Sequence, residues 1–188
     1  MRKHLVTICF VLTTIFFNNP VSMGQDKNQK EIALNSSFTK KTVSPIKKFT
    51  IPEPVGFVND FENIFSPTQV HTLDSMIADF YNKTAVQLAI ITIDSSMATP
   101  DQVEDFTSET FKAWGLQDDG HFNGILISLS NAFKKLKIAN GHGVEQVLSD
   151  AESRDLIETS FLPYLQADKY YEGTLKGLTA VMNKVKSK

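Results

Sequence analysis

The sequence predicts an α/β domain, a three-layer α/β/α sandwich around a small central sheet. Two runs carry the expectation. Val86 to Ile93 and Gly124 to Leu129 are short, rich in β-branched residues and almost wholly apolar, the pattern of strands covered on both faces. Segments with apolar residues at helical spacing surround them, several opened by capping signals. Strands interleaved with helices, each with one apolar stripe to bury, resolve into layers about a single sheet.

The elements follow in chain order. Ile51-Pro52-Glu53-Pro54-Val55-Gly56 reads as an extended approach, since each proline disfavours helix in the residue before it. Ser66 is an expected N-cap, Pro67 suits the first helical position and Gln69 completes a capping box. Val70, Leu73, Ile77, Phe80 and Tyr81 then give one stripe. Val86–Ile93 is the first expected strand. Pro100–Ala113 is an expected helix with Val103, Phe106, Thr107, Thr110 and Phe111 along one side. Gly124–Leu129 is the second strand. Leu136-Lys137-Ile138 alternates, as a half-exposed strand near a sheet edge does. Ser149-Asp150-Ala151-Glu152 is a second capping box, opening a helix expected to stop near Pro163. Tyr171–Val185 closes the domain with a stripe of Leu175, Leu178, Met182 and Val185.

The first residues read as an export signal. Arg2-Lys3-His4 is a short basic start, and Leu5 to Phe17 is an apolar run too short to span a bilayer comfortably. Small residues at Ser22 and Gly24 place the expected cleavage before Gln25, giving a signal peptide over residues 1–24. Residues 25–50 are polar and basic and read as a flexible linker; residues 51–188 form the expected domain. No second apolar run reaches spanning length, so the processed chain is expected to lack a transmembrane helix and to reside, soluble, in the periplasm or outside the cell. The only cysteine, Cys9, lies inside the signal. Disulfides, thiolate metal sites and cysteine nucleophiles are therefore excluded from the domain.

Charge narrows the partners. The whole chain carries −2, yet from Ile51 onward 11 basic residues face 19 acidic ones, a net −8. Nucleic-acid binding needs clustered cations and is disfavoured. An acidic domain suits cations or basic partners.

The candidate chemistry lies in loops. Asp118, Asp119 and Asn123 precede the second expected strand, Asp150 opens a helix, and Asp60 lies at the start of the domain. Carboxylates brought together require a cation, because like charges otherwise retain a proton. Hard oxygen ligands select Ca²⁺ or Mg²⁺. The Gly141-His142-Gly143 loop could add carbonyl oxygens. Each residue also has a plain structural role open to it: Asp118-Asp119-Gly120 and Asn123-Gly124 are turn sequences, and Asp150 suits a helix start. His121 and His142 lack the spacing of a zinc site, and no Walker, nucleophile-elbow or His-Glu-X-X-His motif is present.

The segments Val58-Asn59-Asp60-Phe61, Trp114-Gly115-Leu116, Asn123-Gly124, Lys134-Lys135, Gly141-His142-Gly143-Val144-Glu145 and Ser149-Asp150 together resemble the TPM domain. That module occurs in thylakoid-lumen acid-phosphatase-like proteins and exported bacterial proteins. The resemblance covers about Pro54 to Val185 and implies the same three-layer sandwich, with the loops of Asp60, Asp118–Asn123 and Asp150 converging. It implies an exported, divalent-cation-binding accessory or interaction module of the cell envelope, with an envelope protein as a possible partner. The alternative it implies is a metal-assisted acid phosphatase, with Asp60, Asp119 and Asp150 holding the ion and Lys135 facing the phosphate. A third possibility is a structural domain with no ion. The chain departs from the family pattern at Gln117 (commonly Gly), at Phe122 (commonly Asn) and at Lys134-Lys135 (commonly paired Arg). Lysine loses the bidentate phosphate fork of arginine.

Overall fold

The computed structural model describes residues 49–117 and 124–187, all within one compact unit, Pro45–Lys188. Its elements are β1 (Val58–Asp60), α1 (Pro67–Thr84), β2 (Gln87–Thr92), a 3₁₀ turn over Pro100–Gln102, α2 (Val103–Ala113), β3 (Gly124–Ser130), β4 (Lys135–Asn140), α3 (His142–Glu145), α4 (Asp150–Leu156), a π turn over Ile157–Phe161, α5 (Leu162–Leu165) and α6 (Tyr170–Lys186). The four strands form one sheet in the order β1-β2-β3-β4. β1, β2 and β3 are parallel, and β4 returns antiparallel to β3.

Strand alternation divides the core in two. Leu88, Ile90, Ile125, Ile127 and Leu129 point to one face and pack with Leu73, Ile77 and Phe80 of α1 and Leu178, Val181 and Met182 of α6. Ala89, Ile91 and Leu126 point to the other, against Val103, Phe106 and Phe111 of α2. The predicted three-layer sandwich is therefore the observed one, and β2 and β3 are its doubly covered strands. Consecutive parallel strands with α1 and α2 on opposite faces require crossovers of opposite hand, so one departs from the usual right-handed rule.

Local signals explain most boundaries. Ser66 caps α1, with the Ser66–Gln69 box closed in both directions, and Ser149 does the same for α4 with Glu152. Two features correct the sequence and a third refines it. β1 is a strand, where the sequence suggested only the opening of the domain; three residues are too few to show alternation, and pairing with β2 makes them a strand. Phe49, assigned to the linker, stacks edge-on against Phe106 with ring centroids 5.3 Å apart, so the packed chain starts before Ile51. The helix expected to stop near Pro163 ends at Leu165, by way of a π turn the sequence did not announce. The π turn ahead of it carries the Leu162 N–H to the Ile157 carbonyl, and Pro163 then occupies the first turn of α5, where a missing N–H costs nothing. The π turn supplies Phe161, whose ring lies against Gly177 of α6. A methyl group at Gly177 would stand 2.1 Å from that ring, so only glycine allows this approach.

Candidate functional site

The parallel arrangement gives the sheet two chemically different ends. At one, β3 begins. Gly115, with φ +69°, turns the chain out of α2, and Trp114 anchors the turn by donating its indole N–H to the Pro52 carbonyl at 2.8 Å. Gly124 then donates its N–H to the Leu116 carbonyl at 3.1 Å, and its own carbonyl accepts from Gly141 at 2.8 Å. A side chain at Gly124 would meet the Leu116 carbonyl at 2.5 Å, so glycine is required for the clamp. Leu116 before the segment 117–123 and Gly124 after it are thus held together. Asp118, Asp119 and Asn123, together with His121, lie outside the described residues.

The neighbouring segments are tied to this end. Asn140, the last residue of β4, donates its side-chain amide to the Leu148 carbonyl and to Ser153 Oγ, both at 2.8 Å. That bond pair fixes the start of α4, with Asp150 exposed as its first residue. The Gly141-His142-Gly143 segment is a helix start rather than an open ligand loop. The Gly141 carbonyl is taken by the N–H groups of Val144 and Glu145. His142 is 91% exposed, with Glu145 3.4 Å away; His71 is exposed on α1.

Two carboxylates near this point behave differently. Glu152 accepts from Lys184 at 2.6 Å and from Ser149. The Lys184 ammonium first, and the Ser149 bonds second, hold its carboxyl near about 2 against an ordinary 4.5. Asp150 makes no such pair among the described residues. It lines a groove of about 210 Å³ with Glu104, Lys137, Ser153 and Arg154. A second, mostly apolar cleft of about 330 Å³ opens beside the clamp, between Phe57, Tyr81, Leu88, Trp114 and Leu116. Trp114 is half-buried and packs against the α2-side core with its indole N–H satisfied.

At the opposite end Asp60 is consumed by the fold. Its Oδ1 accepts from Thr92 Oγ1 at 2.9 Å and from the Ile64 N–H at 3.2 Å, and its Oδ2 from the Phe65 N–H at 2.8 Å. Glu62 beside it accepts from the N–H groups of Asn131 and Ala132 at 2.8 and 2.9 Å. Asp60 pairs with Thr92, which is level with Leu129. At the usual strand rise it therefore stands roughly 17 Å along the sheet from Gly124. Asp60, at the end of β1, thus stands at the other end of the sheet from Gly124, where the chain resumes after the Asp118–Asn123 segment. Among the described residues no group of three or more His, Cys, Asp or Glu is placed to hold a metal ion.

Lys134 and Lys135 also belong to the Asp60 end. Lys134 donates to Asp168 at 2.6 Å and to the Tyr170 hydroxyl, and lies 5.0 Å from the Tyr170 ring centroid. The Asp168 carboxylate raises the ammonium's pKa, and the ammonium lowers that of Asp168. Lys135 donates to the Pro100 carbonyl at 2.7 Å. Neither lysine reaches toward the clamp.

The architecture matches solved structures. The N-terminal domain of a P. gingivalis protein superposes with a TM-score of 0.64 at 25% identity, over 70% of this chain and 82% of that one. The BA42 protein of the psychrophilic bacterium Bizionia argentinensis superposes with a TM-score of 0.54 at 16% identity, over 68% and 85% respectively, a likeness of fold. No curated protein sequence matches significantly. No helix among the described residues is long and apolar enough to cross a membrane. The TPM domain profile matches residues 58–184, well over half of the chain and from β1 into α6. The chain belongs to the TPM domain family.

Proposed function

We propose that this TPM domain is an exported, divalent-cation-binding accessory or interaction module of the cell envelope. The observation that carries the proposal is the Leu116–Gly124–Gly141 clamp. In sequence, Asp118, Asp119 and Asn123 all fall between its Leu116 and Gly124 ends, so two carboxylates and an amide oxygen belong to one short connection. Such a set is repulsive when empty and is relieved by a hard cation. Asp150, on the α4 start tied to the same end of the sheet, offers a further carboxylate. Asp60 is withdrawn from the ligand set, since its oxygens already accept three hydrogen bonds.

The same geometry weighs against the phosphatase alternative. That scheme needs Asp60, Asp119, Asp150 and Lys135 around one phosphate, whereas Asp60 and Lys135 belong to the end of the sheet remote from Gly124. Turnover of a generic phosphomonoester by the protein supplied with Mg²⁺ or Ca²⁺ is expected to be negligible. The cation is tested by thermal denaturation of residues 25–188 with Ca²⁺, with Mg²⁺ and with chelator. A ligand bound only by the folded state raises the melting temperature by mass action, and Asp119→Asn should remove that rise. An unmoved wild-type melting curve at millimolar Ca²⁺ and Mg²⁺ overturns the proposal. Intact mass of the exported protein tests processing before Gln25.

A further inference from the structure

The clamp asks for two particular residues in succession. Asn140 serves it because its side-chain amide donates twice, to the Leu148 carbonyl and to Ser153 Oγ, both at 2.8 Å. Gly141 serves it because a Cβ there would be crowded by backbone, 3.1 Å from the Gly124 nitrogen and 3.2 Å from the Leu116 carbonyl oxygen. Asparagine followed by glycine is also the pair most prone to deamidate. The glycine nitrogen can close a five-membered ring on the asparagine Cγ, and no side chain on the glycine obstructs the approach.

The closed clamp restrains this reaction at three atoms. The nucleophile is the Gly141 nitrogen, and its N–H is donated to the Gly124 carbonyl at 2.8 Å. The leaving group is Nδ2 of Asn140, held by its two bonds to Leu148 and to Ser153, itself only 3% exposed. The atom that must take negative charge in the tetrahedral intermediate is Asn140 Oδ1. It is buried and receives no hydrogen bond among the described residues, so no donor is aimed at the charge that would develop there.

We propose that Asn140 is a modification site held in check by the clamp, and that its conversion to an acid releases α4 from β4. When the clamp opens locally, the Gly141 nitrogen gives its proton to solvent base and attacks Asn140 Cγ. The N–Cγ bond forms, the Cγ–Nδ2 bond breaks, and Nδ2 takes up a proton and leaves as ammonia. Water then opens the succinimide at either carbonyl, giving aspartate or isoaspartate. Neither product restores the clamp. A carboxylate has no N–H for the Leu148 carbonyl and sets a negative charge against that oxygen. Isoaspartate also adds a methylene to the main chain ahead of Gly141, which displaces its N–H from the Gly124 carbonyl. An opening of this end of the sheet is thereby fixed in covalent structure. Local openings of this kind cost less than global unfolding where few bonds hold a segment. The reaction needs no bound cation, so it is tested in chelator.

Trypsin releases residues 138–154, in which Asn140 is the sole asparagine. Folded residues 25–188 are held at mildly alkaline pH, sampled over time and digested. The mass gain of amide-to-acid conversion, and labelling by an isoaspartyl methyltransferase, read the product. A synthetic peptide of residues 138–154 gives the unrestrained rate. The folded protein should react at Asn140 at least roughly tenfold more slowly than the peptide, as a reaction confined to a minor open state implies. In urea below the unfolding transition, and in Ser153→Ala, the Asn140 rate should rise in step with hydrogen exchange of the Gly141 amide. Asn140→Asp stands in for the product, and its α4 amides should lose protection while the rest of the sheet keeps it. A folded protein that reacts as fast as the peptide overturns the proposal. So does an Asn140 rate that fails to follow Gly141 exchange, or an Asn140→Asp protein with unchanged α4 protection.

Discussion

Two ends of one sheet hold their carboxylates in different settings. Around Asp60 and Glu62, every carboxylate oxygen accepts from a backbone N–H or a hydroxyl that the fold itself presents. Around Gly124, the backbone is held by two hydrogen bonds, one to the Leu116 carbonyl and one from the Gly141 N–H, and Asp150 at the start of α4 has no ion-pair partner among the described residues. An aspartate is a poor indicator of function until its acceptors are counted. Asp60 is a fastener joining β1 to β2, whereas Asp150 opens a helix whose capping is already done by Ser149 and Glu152.

The comparison breaks most visibly at the clamp. Gly124→Ala forces a methyl group to 2.5 Å from the Leu116 carbonyl, and backbone on both sides must move. We expect a loss of about 3 kcal/mol in urea unfolding, at the upper end for overpacked sites, together with loss of the Ca²⁺ response. A fully stable Gly124→Ala protein would show that the clamp is slack. Asp60→Ala comes next. It strands two N–H groups and the Thr92 hydroxyl, and should cost about 2 kcal/mol, equally with and without Ca²⁺. Dependence of that cost on Ca²⁺ would move Asp60 back into the ligand set.

A smaller effect separates Glu152 from Asp150 on the same turn of helix. The folded protein holds the Glu152 carboxyl near about 2, below its ordinary 4.5. The unfolded chain therefore takes up its proton more readily. The contribution of Glu152 is complete above about pH 4.5 and is lost as pH falls toward 2. Asp168, lowered by Lys134, acts in the same direction. Glu152→Gln should flatten the acid limb of the stability curve in that window and change little at neutral pH beyond the loss of one half-exposed ion pair. An unchanged acid limb would remove the ion pair from the account. Asp150→Ala should shift apo stability by less than about 0.5 kcal/mol, as exposed substitutions usually do; a larger loss in chelator would make it a structural cap.

The layers were legible in the sequence because β2 and β3 are covered on both faces and read as unbroken apolar runs, and because Ser66 and Ser149 announce their helices locally. β1 was not, since its three residues become a strand only through pairing with Ile90–Thr92. Nor was the π turn over Ile157–Phe161, which goes with Phe161 meeting Gly177 in space. The acidic loop and Asp150 could be picked out by residue type. That Asp60 belongs elsewhere could not, because the direction of β1 relative to β3 is a property of topology and leaves no mark in local spacing. The outer position of β4 was legible in the alternation of Leu136-Lys137-Ile138, while the groove beside it is walled by α2 and α4, which are distant in sequence.

Calorimetric titration of Ca²⁺ into wild type, Asp60→Asn and Asp119→Asn, with urea unfolding of all three in chelator, tests the division between the two ends most directly. The account predicts that Asp60→Asn is destabilised yet binds Ca²⁺ within about twofold of wild type, while Asp119→Asn keeps its apo stability and binds at least roughly tenfold more weakly, as loss of one charged ligand oxygen pair implies. Loss of Ca²⁺ binding in Asp60→Asn, with Asp119→Asn indistinguishable from wild type, would contradict it.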